Sequence, residues 1–266
     1  MYETRYHRPK SLAEATALFA DAGEARYLSG GMTLIPTMKQ RLAAPSDLID
    51  IAGIAELKGI AAADGVLTIG AASTHAEVAN SDVVRKSFPG LAALAATIGD
   101  PAVRHLGTIG GSIANNDPAA DYPAALLAVG ATVHTDKRAI AAEKFFTGLF
   151  ATALEDGEIL TKVSFPVPSK SAYEKFRNPA SRYALAGVFV AVLKDGSVRV
   201  GVAGAGNGGA FRAANIEAAL AKSLTPNAVE STTVDPENLL ADIHATAAYR
   251  ANLIKVMAKR AVARLS

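Results

Sequence analysis

Apolar residues recur at helical spacing in the opening stretch SLAEATALFADAG, where Leu12, Ala15, Leu18 and Phe19 share one face. Ser11 and Glu14 have capping-box spacing at its start, and Gly23 can end it. ARYLSGG then reads as a short strand running into a glycine turn, TLIPTMKQRLA as a short helix around Pro36, and LIDI as a further strand. GVLTIGA at 65–71 reads as a strand, and Thr74 with Glu77 marks a second capped helix start. FPGLAALAATIGD is helical, with Pro89 near its beginning and Gly99 near its end. YPAALLAVGATVHT reads as a helix turning into a strand, and DGEILTKVSFPVP as a strand closed by prolines. Beyond 166–170 the pattern changes to long apolar strands, RYALAGVFVAVLKDG and SVRVGVAGAG, with Asp195-Gly196 as a hairpin signal between them. Two helical stretches follow, AANIEAALAK and LLADIHATAAYRANLIKVMAKRAVARL. The main domain boundary is expected at 166–170.

A chain of 266 residues has room for two or three packed subdomains. Half of its residues are hydrophobic and 20% are charged, a soluble globular balance. The formal net charge is only +2, and no dense basic run with interleaved aromatics occurs, so nucleic-acid binding has no support. There is no cysteine, which removes disulfides, thiolate catalysis and cysteine-held iron–sulfur clusters from this chain. The start, MYETRYHRPK, has no apolar core of the signal-peptide kind. The longest apolar run, at 185–193, is far short of the roughly 20 residues that span a bilayer. A cytoplasmic protein that does not span a membrane is expected. The five histidines are scattered without metal-ligand spacing and are read as structural or surface residues, with no metal site.

Two stretches share a design: Ser29-Gly30-Gly31-Met32-Thr33 and Thr108-Ile109-Gly110-Gly111-Ser112. Each follows an apolar segment and combines paired glycines with hydroxyls. Glycine lets a ligand approach the main chain closely, and consecutive N–H groups make a concave anion site. Two such loops can grip a pyrophosphate from two sides without Lys or Arg; the plain alternative is two tight turns. A third stretch, GAGNGG at 204–209, fits G-x-G-x-x-G but lacks the second strand and acidic residue of a dinucleotide-binding βαβ unit. It is read as a strand–turn–helix connection.

With both loops in place, the chain resembles the FAD-binding medium subunit of the molybdenum hydroxylases, the xanthine dehydrogenase and aerobic carbon monoxide dehydrogenase family. The resemblance runs in order through YHRPKSLAEA, LSGGMTLIPTMKQRL, GTIGGSIANNDPAADYPAALLAVGA and YEKFRNPASRYALAGV, and it is closest to the carbon monoxide dehydrogenase type. It implies an α+β fold of three parts: an N-terminal FAD-binding subdomain (1–54), a central FAD-binding subdomain (55–168), and a C-terminal domain (169–266) of three-stranded antiparallel sheet and helices. It implies FAD as cofactor, held non-covalently by both glycine loops, with Asp121 on the cofactor, Lys175 near the flavin and Tyr183 beside the isoalloxazine. Ser112 stands where the pattern usually has Asn, Ser29 where it has Ala, and Arg182 where related sequences often have Asp. From sequence alone, Asp121 also reads as a helix cap, Lys175 as a solvated charge and Tyr183 as a core strand residue.

The resemblance further implies partners: a large subunit with the molybdenum cofactor and a small subunit with two [2Fe–2S] clusters, assembled as a dimer of heterotrimers. This chain then relays cluster electrons through FAD to an external acceptor, and none of its side chains serves as a conventional acid, base or nucleophile. Two alternatives remain open: a stand-alone FAD oxidoreductase of the same broad fold, such as an enolpyruvyl-sugar reductase, and a flavin-free assembly scaffold.

Overall fold

The computed structural model describes residues 1–265. The first unit runs β1 (Arg5–His7), α1 (Leu12–Asp21), β2 (Ala25–Leu28), α2 (Leu34–Lys39) and β3 (Asp47–Asp50). Its strands are parallel, with β3 between β1 and β2. Ser11 caps α1, accepting from Glu14 N at 3.2 Å. The helix buries Ala15 against Ala25, Ile49, Ile54 and Leu57. Asp47 ties β1 to β3 through Arg5 at 2.8 Å and His7 at 2.7 Å. Arg5, Ser46 and His7 together hold its carboxyl well below the usual range.

The central unit begins with β4 (Ile60–Ala63) and β5 (Val66–Gly70). Six short helices follow: α3 (His75–Asn80), α4 (Asp82–Ser87), α5 (Pro89–Ala96), α6 (Pro101–Leu106), α7 (Ile109–Asn115) and α8 (Tyr122–Val129). Then come β6 (Thr132–Thr135), β7 (Ala139–Ala141), α9 (Ala142–Phe145), the hairpin β8 (Phe146–Gly148) and β9 (Ala151–Thr152), and β10 (Leu160–Pro166). Five of these strands form an antiparallel sheet in the order β4-β5-β10-β6-β7. The apolar α8, buried along its whole length, fills the space between this sheet and the next.

The last unit is β11 (Lys170–Arg177), β12 (Ala184–Val192), β13 (Val198–Ala203), β14 (Phe211–Arg212), α10 (Ala214–Lys222), α11 (Pro226–Glu230) and α12 (Ala247–Ala263). The expected three antiparallel strands are β11, β12 and β13, and the two-residue β14 adds a fourth at the edge. Strand alternation makes β12 serve two cores. Ala186, Val188 and Val190 face α12, while Phe189 and Ala191 join the central core around Phe88 and Phe165. That shared strand fixes β11 and the β11–β12 loop beside the start of α8. The GAGNGG stretch lies between β13 and β14, which pair antiparallel. A parallel dinucleotide-binding unit is therefore ruled out there. Among the described residues no helix is long and apolar enough to cross a membrane.

Candidate functional site

The loop after β2 and the segment before α7 meet face to face. A Cβ on Gly30 would stand 2.1 Å from the Leu106 carbonyl oxygen and 2.7 Å from Gly107 Cα, so only glycine permits this approach. Gly31 has φ +69°, the left-handed region that turns the chain from β2 into α2. Ser29 Oγ and Thr108 Oγ1 are 3.0 Å apart and link the two loops. Among the described residues, the backbone N–H groups of Ser29, Gly30, Gly31, Met32 and Thr33 have no hydrogen-bond partner within the chain. Consecutive unpaired backbone N–H groups of this kind can serve as an anion cradle.

The second loop departs from the sequence expectation. It is no free glycine turn: Thr108 caps α7, accepting from Gly111 N at 3.1 Å, and both glycines lie inside the helix. Its donors are already engaged. Ile109 N reaches Ser73 O at 3.0 Å, Gly110 N reaches Ala71 O at 2.9 Å, and Ser112 N reaches Thr108 O at 3.0 Å. A Cβ on Gly110 would stand 2.6 Å from Ala71 Cβ, so that glycine serves close packing. Gly111 differs: an added Cβ meets only Thr108 Oγ1, at 3.0 Å. Ile109 is wholly buried in the central core and does not line the cleft.

The other cofactor-binding candidates line one cleft of about 750 Å³: Ser29, Gly30, Gly31, Met32, Thr33, Thr108, Gly110, Gly111, Ser112, Asp121, Lys175 and Tyr183. The volume lies within the ~300–1,000 Å³ of small-molecule sites. Asp121 and Lys175 form an ion pair at 2.8 Å whose side chains are 4% and 2% exposed. Asp121 stands at the N-cap position of α8 yet makes no capping bond, and Lys175 is no solvated charge. The other carboxylate oxygen accepts from the Tyr173 hydroxyl. Tyr173 is pressed onto Gly187 of the neighbouring strand, where a Cβ would stand 2.1 Å from that hydroxyl. Burial and Asp121 push the Tyr173 pKa well up.

Tyr183 is half-exposed, not a core residue. The turn before it is set by Asn178, whose Oδ1 accepts from Ala180 N at 2.9 Å and whose carbonyl accepts from Arg182 N at 2.9 Å. Arg182 takes φ +63° in that turn. Burial, with Asp117 and Asp121 nearby, raises the Tyr183 pKa, and burial raises that of Asp117.

Three residues of the cleft region were not singled out from sequence. Asn116, left-handed at φ +43°, donates to Gly148 O and Ala151 O, both at 2.8 Å, and so pins the β8–β9 hairpin. At the tip of that hairpin Phe150, φ +53° and 61% exposed, lines the cleft. His75, first residue of α3, lines it between the loops. The Thr74–Glu77 capping box, legible in sequence and present in full, is the one signal that fixed its position.

The cleft suits a dinucleotide. It offers backbone donors and hydroxyls where Gly30 brings the loops together, and of its two lining cations, Arg26 and Lys175, the latter is paired with Asp121. The family described as the FAD binding domain in molybdopterin dehydrogenase matches residues 2–168. The carbon monoxide dehydrogenase medium chain of Afipia carboxidovorans is 35% identical, covering 97% of this chain and 95% of that one. The glyceraldehyde dehydrogenase medium chain of Sulfolobus acidocaldarius is 32% identical over 97% of each. A crystal structure of the Cu,Mo-CO dehydrogenase in its cyanide-inactivated form superposes with a TM-score of 0.89 at 34% identity, covering 98% of this chain and 97% of that one. With the loop geometry and these matches in agreement, the chain belongs to the FAD-binding family of molybdopterin dehydrogenases: it is a medium, FAD-binding subunit of the molybdenum hydroxylase type, and FAD is its cofactor.

Proposed function

We propose that this chain is the electron-transfer subunit of a molybdenum-containing hydroxylase. It works with a large subunit holding the molybdenum cofactor and a small subunit holding two [2Fe–2S] clusters, as a dimer of such heterotrimers. The reaction assigned to the assembly is aerobic carbon monoxide oxidation, since a carbon monoxide dehydrogenase medium chain matches along nearly its whole length. The observation that carries the reading is the cleft between the loops, with five N–H groups from Ser29 to Thr33 that have no partner among the described residues.

FAD, when bound, supplies a centre that exchanges electrons singly and in pairs, and the protein's part is to hold, orient and tune it. The Ser29–Thr33 donors hold the pyrophosphate, with Ser112 and the Ser29–Thr108 hydroxyl pair beside them. Gly111 keeps the wall of the second loop low. Asp121, fixed by Lys175 and Tyr173, and Tyr183 on its Asn178 turn flank the isoalloxazine end. Substrate oxidation is assigned to the partner subunits, and the cleft residues are given the holding and tuning of the flavin.

Anaerobic spectroscopy tests this. The isolated flavin-loaded chain, given carbon monoxide, aldehydes or purines, keeps its yellow colour, and bleaching begins only when the cluster and molybdenum subunits are added. Rapid bleaching without partners assigns a self-contained oxidoreductase instead, and a chain that never takes up flavin assigns a scaffold.

A further inference from the structure

His75 occupies an unusual place. Its backbone N–H donates to Gly107 O at 2.9 Å. A Cβ on Gly107 would stand 2.7 Å from His75 Nε2, and a Cβ on Gly30 would stand 2.7 Å from Gly107 Cα. The imidazole, Gly107 and Gly30 are thus stacked in a row where the two loops meet. The residue is 4% exposed and is among those that line the cleft.

The tautomer follows from Tyr122. This tyrosine is wholly buried, and its hydroxyl has one partner among the described residues, His75 Nδ1 at 3.3 Å. A buried phenol has to place its proton on an acceptor, and Nδ1 is the one available. Nδ1 therefore carries a lone pair, and the ring's own proton sits on Nε2. Burial, aided by Arg104, lowers the His75 pKa to about 4, so the ring is neutral near pH 7. Nε2 has no hydrogen-bond partner among the described residues. Arg250 Nε is the one fully buried side-chain nitrogen or oxygen without a partner among the described residues, so the unpartnered Nε2 of His75, a cleft-lining residue, keeps some accessible surface and is open to an acceptor there.

We propose that His75 is a positioning residue of this cleft, its Nε2–H donating to an acceptor oxygen in the phosphate–ribityl middle of the flavin dinucleotide, where the two loops meet. This rests on the reading of the cleft as the FAD site. It adds a neutral side-chain donor from the central unit to the backbone donors of Ser29–Thr33.

The test is FAD titration of the full-length chain freed of flavin, followed by quenching of flavin fluorescence, in the wild type, His75→Asn and His75→Gln. The Asn side chain reaches only the Nδ1 position, keeps a partner for Tyr122 and removes the cleft donor. The Gln amide reaches the Nε2 position and restores a donor. His75→Asn is expected to raise the FAD Kd by roughly three- to tenfold, the range of one neutral hydrogen bond, and His75→Gln to recover most of it. In parallel, ¹⁵N spectra of histidine-labelled wild type are expected to show the proton on Nε2 of His75, with the Nε2–H resonance moving downfield when FAD is added. If the wild type takes up no FAD, the reading of the cleft itself fails. If the wild type binds FAD and His75→Asn binds it within twofold, the assignment of His75 is overturned. A proton on Nδ1 overturns it as well, and the spectra decide the matter if His75→Asn does not fold.

Discussion

Lys175→Met leaves Asp121 as a buried carboxylate without its counter-ion. The Lys175 and Asp121 side chains are 2% and 4% exposed, so little water reaches the place of the ammonium, and among the described residues the Tyr173 hydroxyl is the side-chain donor left to Asp121. Breaking a buried pair from one side costs about 3–5 kcal/mol, most of it the desolvation of the orphaned charge. For a domain of this size 1 kcal/mol moves Tm by ~2–4 °C, so the loss corresponds to ~6–20 °C. Removing both charges is different: in Asp121→Asn/Lys175→Met the amide still accepts from Tyr173, and no bare charge stays inside. The double variant is expected to recover at least about 2 kcal/mol relative to Lys175→Met, a coupling well above the ~0.5 kcal/mol scatter of independent sites. Urea denaturation of flavin-free protein, read by circular dichroism for the wild type, both single variants and the double variant, gives the cycle. A Lys175→Met cost below about 1 kcal/mol, or a double variant no more stable than Lys175→Met, refutes the reasoning, because it means water or backbone movement already screens the pair.

The paired glycines are expected to separate by role. Gly30→Ala forces a Cβ onto the Leu106 carbonyl and loses at least about 2 kcal/mol of stability in denaturant. Gly111→Val folds but retains little flavin, as absorbance of the purified protein checks, while Gly208→Ala, with open space around it in the third glycine stretch, keeps wild-type flavin content. Because the His75 pKa is lowered to about 4 in the fold against ~6.5 unfolded, the unfolded chain binds the extra proton first. The resulting stability is whole above pH ~6.5 and drains as pH falls toward 4, by about 3 kcal/mol; His75→Gln lacks this limb when the two ΔG–pH curves are compared. Phe150→Gly relieves a left-handed φ of +53° and is expected to leave Tm equal or higher while weakening flavin retention, since the exposed ring walls the cleft.

How much of this was legible depended on whether local chemistry agreed with tertiary packing. The α1 cap, the Thr74–Glu77 capping box and the Asp195-Gly196 hairpin, with Gly196 at φ +83°, all follow from short-range rules and stand where the sequence put them. The TIGG stretch did not follow them. Two glycines argue against a helix by ~1 kcal/mol each, yet the Thr108 cap and the burial of Ile109 and Ile113, one turn apart, override that cost. β11, implied by the resemblance, carries no strand signal in the hydrophobic pattern because its polar residues interrupt any alternation: Lys170, Glu174, Lys175 and Arg177 break the run, and Lys175 pairs with Asp121. β4 is an edge strand of small, exposed residues and carries no periodic signal. The last helix begins later than the pattern suggested, at Ala247, capped by Thr246. Before it, Asp242 accepts from His244 N, Ala245 N and the buried Arg250, which holds residues 242–245 in a turn. In the cleft, the glycines and hydroxyls were visible as a motif, but the division of labour was not. Only the packing of Gly30 on Leu106 and Gly110 on Ala71 shows which glycines are required by close approach within the fold. His75 was unreadable for the same reason: a lone histidine at the start of a helix gains meaning only from Tyr122 and Gly107 around it.

The measurement that bears most directly on the central claim is a flavin titration of the purified chain, followed by acid precipitation. A single cleft built on the Ser29–Thr33 donors predicts saturation at about one FAD per chain, and with no cysteine in the chain and no histidine in either loop the flavin is held without a covalent bond. The supernatant after acid treatment is then yellow and the pellet white. A chain that stays colourless at saturating FAD, or a pellet that keeps the colour, contradicts the account.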